Sequence, residues 1–259
     1  MDYGMPTLIE IDNIEETAQL CCELRLNFIE INMNLPQFQS KNNEFVEKLK
    51  SVSEEYNIYY TIHLEEELDV CTFNRTIRKA WIESIIDTLK MAKKLDIKIL
   101  NMHLSKGVYF TLPTEKVFLY SRNHEQYLKD ICEFRNICDK ELEGTDIIIT
   151  IENTSGYTDF QKEAISELLK SNHFALCWDV GHSLCHFEDE KYIEKNIARL
   201  AHMHLHDGEG KKNHLELGTG EIDILNKIEI AQKYNCRCVV EVKTIDALRK
   251  SIRWLKIKM

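Results

Sequence analysis

The chain has 259 residues, of which 44% are hydrophobic and 29% charged, and its formal net charge is −10 at pH 7. This composition is that of an ordinary globular protein and excludes an intrinsically disordered chain. The negative charge disfavours a protein whose task is to hold a phosphate backbone, although a local basic groove stays compatible with it. Length alone leaves one domain or two open, because α/β barrels run to about 250 residues as one domain.

No stretch reaches the roughly 18 consecutive apolar residues of a membrane span, and the N-terminal segment MDYGMPTLIEI lacks the pattern of a secretory signal. We therefore expect a cytoplasmic protein with no membrane partner. The nine cysteines form no CxxC pair, and Cys21, Cys22, Cys236 and Cys238 lie in apolar segments. We expect the cysteines to be reduced residues of the core.

Apolar, β-branched runs alternate with amphipathic stretches along the whole chain. The predicted strands are 3–8, 28–33, 58–64, 97–103, 146–152, 174–179, 201–206 and 238–242. The segments between them have helical periodicity, and we expect Asn13, Asp159 and Thr244 to be N-caps. The clearest helix covers 74–95 and places on one stripe Ile77, Trp81, Ile85, Leu89 and Ala92.

Eight apolar strands alternating with eight helices predict a parallel sheet covered by helices, and the number eight favours a closed (β/α)8 TIM barrel. No Pro/Gly-rich linker divides the chain, so residues 1–259 are predicted to form a single domain. No GxGxxG motif follows a strand, which leaves a Rossmann fold without support. Gly218-Thr219-Gly220 follows the seventh strand, where barrels sometimes bind phosphate, but a simple turn is the preferred interpretation.

Ionisable residues lie at or near the ends of six predicted strands. They are His63, His103, Glu152, Asp179, His204 and Glu241. Each alone is readily explained as a hydrogen-bonded structural residue, but the strand ends of a closed barrel converge on one mouth. Burying several carboxylates there costs several kcal/mol per ion unless a cation compensates them, so we expect a divalent metal site.

The donor types limit the metal without identifying it. Glu152, Asp179, His204 and Glu241 supply three carboxylates and one imidazole, which suit Mn²⁺, Co²⁺, Mg²⁺ or Zn²⁺. Participation of His63 and His103 would shift the balance toward zinc.

Several motifs together resemble the xylose isomerase-like TIM-barrel superfamily, which includes sugar isomerases and epimerases and the endonuclease IV (AP endonuclease family 2) branch. The motifs are IENTSG at 151–156, WDVGH at 178–182, MHLHD at 203–207, HLELGTGEID at 214–223 and VVEV at 239–242. The resemblance implies a central metal bound by Glu152, Asp179, His204 and Glu241. His63 and His103 match histidines that bind a further zinc in the endonuclease branch, and Glu152 matches the residue that bridges this zinc and the central metal.

The same resemblance makes His182 and His214 matches to ligands of a third zinc in the endonuclease branch, but Lys212 stands where that branch has an aspartate. In the stretch AHMHLHD, three histidines share one face of a strand. We expect His204 to be the ligand and His202 to be a core histidine one layer deeper. We expect His206 to reach the rim near Asp207, as an outer contact of the metal site or a contact of the substrate.

The superfamily resemblance implies a metal-dependent isomerase or epimerase of sugars or sugar phosphates, with Glu152 and Glu241 as acid/base groups. Candidate substrate-binding residues are His63, His103, His182, Lys106 and His214. Three alternatives stay open: a zinc phosphodiesterase acting on abasic DNA, a related dehydratase, and a barrel that binds metal or sugar without turnover. A homo-oligomer is also left open.

The long connection from Leu104 to Thr145 is a candidate lid, because loops after barrel strands often close over substrate. Lys106, Tyr109 and Phe110 lie in its first part. A loop tip that covers helix ends is the alternative interpretation.

Overall fold

Eight parallel strands close into a barrel in the computed structural model, which describes residues 1–39 and 41–258. The barrel strands are β1 (Tyr3–Pro6), β2 (Phe28–Asn32), β3 (Tyr59–His63), β4 (Ile99–His103), β5 (Ile148–Glu152), β6 (Phe174–Asp179), β7 (Leu200–Leu205) and β8 (Arg237–Val240). Each strand pairs in parallel with its neighbours in the chain, and β8 pairs with β1 to close the ring. The predicted (β/α)8 barrel is therefore confirmed.

Helices connect the strands and cover the outside of the barrel. They are α1 (Ile14–Glu23), α2 (Asn43–Tyr56), α3 (Arg75–Lys94), α4 (Leu119–Arg122), α5 (His124–Leu142), α6 (Asp159–Leu168), α7 (Val180–Cys185), α8 (Phe187–Lys195), α9 (Ile224–Lys233) and α10 (Ile245–Lys258). Two of the connections hold more than one helix, so the described residues contain more helices than the eight predicted. None of these helices has the length and hydropathy that crossing a bilayer requires.

The helix starts follow local capping chemistry. Asn13 and Thr244 accept hydrogen bonds from backbone N–H groups in the first turns of α1 and α10, as predicted. The prediction of Asp159 as a cap is wrong, because the cap of α6 is Thr158. Thr158 and Gln161 exchange hydrogen bonds in a capping box, which leaves Asp159 as an acidic residue of the first turn.

The predicted apolar stripe of α3 is buried along the C-terminal half of the helix only. Ile85, Leu89 and Ala92 are buried, and Trp81 packs half-buried against the core. Ile77, in the first turn, is 48% exposed. Periodicity identified the helix correctly but did not show how far its neighbours cover it.

The interior of the barrel contains polar side chains that pair with one another. Thr61 on β3 donates to Glu30 on β2 at 3.0 Å, and Thr150 on β5 donates to Asn101 on β4 at 2.9 Å. All four are almost fully buried. Because buried polar groups need partners, these pairs form a polar layer inside an otherwise apolar barrel.

The connection from Leu104 to Thr145 is more ordered than a lid loop. It contains an antiparallel ribbon of Tyr109–Thr111 and Lys116–Phe118, followed by α4 and α5. Val108, Tyr109 and Phe110 are exposed at this ribbon. The role of the ribbon as a lid stays a prediction.

All nine cysteines are free thiols, and most of them are buried. Cys21, Cys236 and Cys238 are buried, as predicted. The prediction is wrong for Cys22 and Cys185, which are exposed. Cys22 follows Cys21 directly in α1, and consecutive helical residues do not share a face.

Candidate metal centre

The six ionisable residues predicted at the strand ends lie at one end of the barrel. His63, His103, Glu152 and Asp179 are the last residues of β3, β4, β5 and β6; His204 is the penultimate residue of β7, and Glu241 follows β8 directly. Strand register places His103 beside Glu152 and Asp179 beside His204. The C-terminal ends of parallel barrel strands form the mouth where active sites of this fold lie.

Glu152, Asp179, His204 and Glu241 form a central group around one point. Each offers a ligand atom within 4.8 Å of the ligand atoms of the others. Nδ1 of His204 lies 3.0 Å from Oε2 of Glu241, 3.3 Å from Oε2 of Glu152 and 4.0 Å from Oδ2 of Asp179. The sequence predicted these four residues as ligands, and the structure brings all four together.

The donor atoms of this group fit a divalent cation. Nδ1 of His204 and Oε2 of Glu241 are buried and, among the described residues, have no aligned hydrogen-bond partner despite their proximity. An unsatisfied buried polar atom costs about 1–3 kcal/mol, and one cation would satisfy both atoms. Three carboxylates and one imidazole are donors that Mn²⁺, Co²⁺, Mg²⁺ and Zn²⁺ accept.

Opposite charges dominate the protonation of the central group. Burial opposes the charged forms of Glu152 and Glu241, but the charge on His204 outweighs it and holds the pKa of both carboxyls well below the usual range. Burial also opposes charge on His204, but the surrounding acidic groups, Cys177 and Glu152 first, raise its pKa well above the usual value. A cation bound here would replace this proton, because a histidine must be deprotonated to ligate.

A second donor group shares Glu152. Nε2 of His63 and Nε2 of His103 each lie 3.5 Å from Oε2 of Glu152, and the two rings meet edge to face. Nδ1 of His63 faces the carbonyl oxygen of Leu64 at 2.8 Å, so Nε2 is the nitrogen that points into the mouth. The structure thus brings together the residues that resemble the second zinc site of the endonuclease branch.

A third group consists of His182, His206 and His214. Nε2 of His206 lies 2.9 Å from Oδ1 of Asp179, and the backbone N–H of His214 donates to Nδ1 of His206 at 2.8 Å. The prediction that His206 reaches the rim is wrong, because its side chain is fully buried against Asp179. It is, as expected, an outer contact of a predicted ligand. Lys212 is exposed and takes no part in this group.

A model of one protein family matches the chain over residues 18–258, and its description is "Xylose isomerase-like TIM barrel". The chain belongs to this family. One curated relative is similar along its whole length. An uncharacterized protein of Methanocaldococcus jannaschii is 27% identical over 270 residues, which cover 99% of this chain and 98% of the relative.

Two similar solved structures are those of a sugar epimerase and of an epimerase-like protein. A D-tagatose 3-epimerase-like protein has a TM-score of 0.78 and 21% identity, covering 99% of this chain and 96% of that one. The 3-keto-D-glucoside 4-epimerase of E. coli has a TM-score of 0.79 and 18% identity, covering 99% of both chains. At these identities the two structures show the shared fold alone.

Two lysines follow predicted ligands in the sequence, Lys243 after Glu241 and Lys106 after His103. Lys243 donates to Oε1 of Glu241 at 2.7 Å, and sequence reasoning missed it. Lys106, a predicted substrate-binding residue, donates to the hydroxyl and carbonyl oxygens of Ser155 in the loop after β5. Burial lowers the pKa of Lys106. Both cations therefore already have protein partners, although each ammonium keeps further N–H donors.

The two glycines of Gly218-Thr219-Gly220 make hydrogen bonds within the protein. The backbone N–H groups of Gly218 and Gly220 both donate to Oδ2 of the buried Asp207 at 2.9 Å. A Cβ at Gly220 would clash with the carbonyl oxygen of Gly208. The stretch is thus a closely packed turn, as the preferred interpretation had it, and these two N–H groups are not available to a phosphate.

The sequence interpretation also missed two buried residues beneath the mouth. Glu30 faces His202 and His204, and Asn101 donates to Oε2 of Glu152. The available signal was a polar residue at an inward position of an apolar strand: Glu30 in FIEIN and Asn101 in ILNMH. His202, predicted as a core histidine, is fully buried and bonded to Glu30.

Proposed function

We propose that the protein is a divalent-metal-dependent isomerase or epimerase of a sugar or sugar phosphate, acting by proton transfer next to a carbonyl. The observation that carries the proposal is the central group itself. Glu152 on β5 and Glu241 after β8 reach one point together with Asp179 and His204. Two carboxylates beside one cation are the groups that such a proton transfer requires.

The cation would supply Lewis acidity, which polarises a bound carbonyl and acidifies the neighbouring C–H bond. Glu152 and Glu241 come from strands separated by β6 and β7 in the ring, so they approach the centre from different directions. One carboxylate would remove the proton and, once protonated, would return it to the adjacent carbon; delivery to the opposite face requires that the other carboxylate enter the step protonated.

The protein holds both carboxylates in place for this role. In the metal-free protein their pKa values lie well below the usual range, so either carboxylate can accept a proton at neutral pH. Asn101 donates to Glu152, and Lys243 donates to Glu241. Hydrogen bonds of this kind restrict the rotamers of a catalytic side chain.

Candidate substrate contacts surround the centre. His63, His103, His182 and His214 line the mouth beside the metal-binding carboxylates, and Lys106 lies on the loop after β4. Imidazole and ammonium groups bind hydroxyl and phosphate oxygens, which are the polar groups of sugars and sugar phosphates. We propose these five residues as substrate-binding.

Solvent hydrogen exchange tests the proposed chemistry directly. The purified protein is loaded with Mn²⁺, Co²⁺, Mg²⁺ or Zn²⁺ in turn and incubated in D2O with ketoses and ketose phosphates. We expect deuterium at a carbon next to the carbonyl, detected by NMR, together with an isomer or epimer. Glu152→Gln and Glu241→Gln should abolish both signals. Glu67→Gln is the matched control, because Glu67 is exposed in the loop after β3.

The two variants test the acid/base roles of Glu152 and Glu241 separately from the proposed isomerase activity. If wild-type protein turns over a substrate and either variant keeps near-normal exchange, the acid/base assignment is wrong. If the metal-loaded wild type shows no exchange across the panel, the isomerase proposal itself fails.

The two additional histidine groups favour a second candidate function, a zinc phosphodiesterase acting on abasic DNA. His63 and His103 share Glu152 with the central group, and His182 and His206 adjoin Asp179. Several zinc ions in a row can activate a hydroxide for attack on phosphorus. The net charge of −10 opposes this function. Cleavage of an oligonucleotide with one abasic site, by zinc-loaded protein, distinguishes it from the first candidate.

A further inference from the structure

Glu30 occupies an unusual position for a carboxylate. It lies in the middle of β2 inside the barrel, and only 1% of the residue is exposed. Oε1 of Glu30 is 2.9 Å from Nε2 of His204, without the alignment of a hydrogen bond, and Oε2 is hydrogen-bonded to Nε2 of His202 at 2.9 Å. Thr61 donates to Oε2 at 3.0 Å. One buried carboxylate thus faces two histidines of the strand that carries a predicted metal ligand.

These contacts determine which nitrogen of His204 faces the metal-binding centre. Nε2 of His204 points down to Glu30, and Nδ1 points up to the carboxylates of Glu152 and Glu241. An ionised carboxylate has only acceptor atoms, so a lone pair on Nε2 at 2.9 Å would be repelled by it. A proton on Nε2 removes the repulsion and, in the neutral ring, leaves the lone pair on Nδ1.

His202 completes the arrangement. Its Nε2 is hydrogen-bonded to Oε2 of Glu30, and its Nδ1 has no hydrogen-bond partner among the described residues. The hydrogen bond to Glu30 therefore satisfies one ring nitrogen of His202. It restrains the carboxylate of Glu30 and involves no predicted metal ligand. Together, His202 and Thr61 hold Oε2 in place while Oε1 remains for His204.

We propose that Glu30 is a positioning residue for the metal site, which keeps the proton of His204 on Nε2 and aims Nδ1 at the cation. The inference rests on the metal site of the proposed function and names the residue that orients one ligand of that site. A metal-ligating histidine commonly donates its other ring N–H to a carboxylate, and loss of such a partner typically weakens metal binding by about 10- to 100-fold.

The experiment measures metal affinity and the state of His204 in the full chain, without an activity assay. Zn²⁺ affinity is obtained by competition with a chromophoric chelator. Protein labelled with ¹⁵N-histidine and loaded with ¹¹³Cd²⁺ then shows by NMR which nitrogen of His204 couples to the metal and which holds a proton. Loss of the signal in His204→Asn assigns it.

Two substitutions at Glu30 and one control make the comparison. Glu30→Leu removes both acceptor oxygens, and Glu30→Gln keeps the shape without the charge. The control is Thr88→Val, which removes a buried hydroxyl that donates to the carbonyl oxygen of Ser84 within α3. We expect the wild type and Thr88→Val to couple through Nδ1, with a slowly exchanging proton on Nε2. We expect both Glu30 variants to bind Zn²⁺ about 10- to 100-fold more weakly, with faster exchange of that proton.

Each outcome decides the inference. Folded Glu30 variants with Zn²⁺ affinity within twofold of wild type overturn it, as does coupling of cadmium to Nε2 of His204 in the wild type. If Glu30→Leu does not fold, Glu30→Gln carries the same test. Tight metal binding that depends on Glu30, without turnover of any sugar, refutes the proposed function alone. A wild type that binds no ion refutes both.

Discussion

Replacement of Asp207 by Asn tests whether one buried carboxylate holds the loop after β7 in place. Oδ1 of Asp207 accepts from the backbone N–H groups of Gly208 at 2.9 Å and Ile222 at 3.2 Å, and Oδ2 accepts from those of Gly218 and Gly220. An asparagine keeps one acceptor oxygen, so two of these four donors lose their partner. An unpaired buried donor costs about 1–3 kcal/mol, and part of this loop is open to water. We expect Asp207→Asn to lower the free energy of unfolding by about 2–3 kcal/mol.

Urea unfolding followed by circular dichroism measures this loss, and hydrogen exchange of peptides covering residues 207–223 locates it. The matched control is Glu221→Gln, which removes an exposed carboxylate from the same loop. Substitutions of this exposed kind change stability by no more than about 0.5 kcal/mol. If Asp207→Asn matches the control in both measurements, the four hydrogen bonds do not stabilise the loop as argued.

Two further predictions concern the metal-binding residues. In metal-free protein, burial opposes charge on His63, but the hydrogen bond and charge of Glu152 outweigh burial and raise its pKa from 6.5 to about 9. The stabilisation that charged His63 gives the folded protein is therefore complete below pH 6.5 and is lost as the pH rises through about 9. The free energy of unfolding should fall over this window, and His63→Gln should make that fall smaller. An equal decline in the variant would contradict the assignment. Asp179→Asn should reduce the metal bound per chain, measured by elemental analysis; unchanged stoichiometry would remove Asp179 from the ligands.

The fold and the location of the mouth could be predicted because both depend on local patterns. The barrel strands are short, largely apolar runs, and in six of them an ionisable residue lies at or next to the end. Glu152 ends DIIITIE and Asp179 ends FALCWD, so the closed topology alone brings these side chains together. A two-residue period also correctly placed His202 and His204 on one face.

The remaining features depend on contacts between distant segments. Glu30 and His202 are 172 positions apart, and nothing near Glu30 in the sequence indicates its partner. The two-residue period places His206 on the same face as His204. Its buried position depends on a contact with the carboxylate of Asp179 on the neighbouring strand. The partner of a buried polar residue is set by the closure of the whole barrel, which a strand pattern does not report.

Glu152 belongs to two donor groups through a single atom. Its Oε2 is the oxygen nearest to His204 and also the one nearest to His63 and His103. On the proposed function, a second ion seated between these two imidazoles would withdraw the electron pairs that proton abstraction needs. The stoichiometry of loading would then act as a selector: with one ion bound, Glu152 would keep electron pairs for proton abstraction, whereas a second ion held by His63 and His103 would engage them. On these proposals, the supply of zinc would set which of the two reactions the barrel performs.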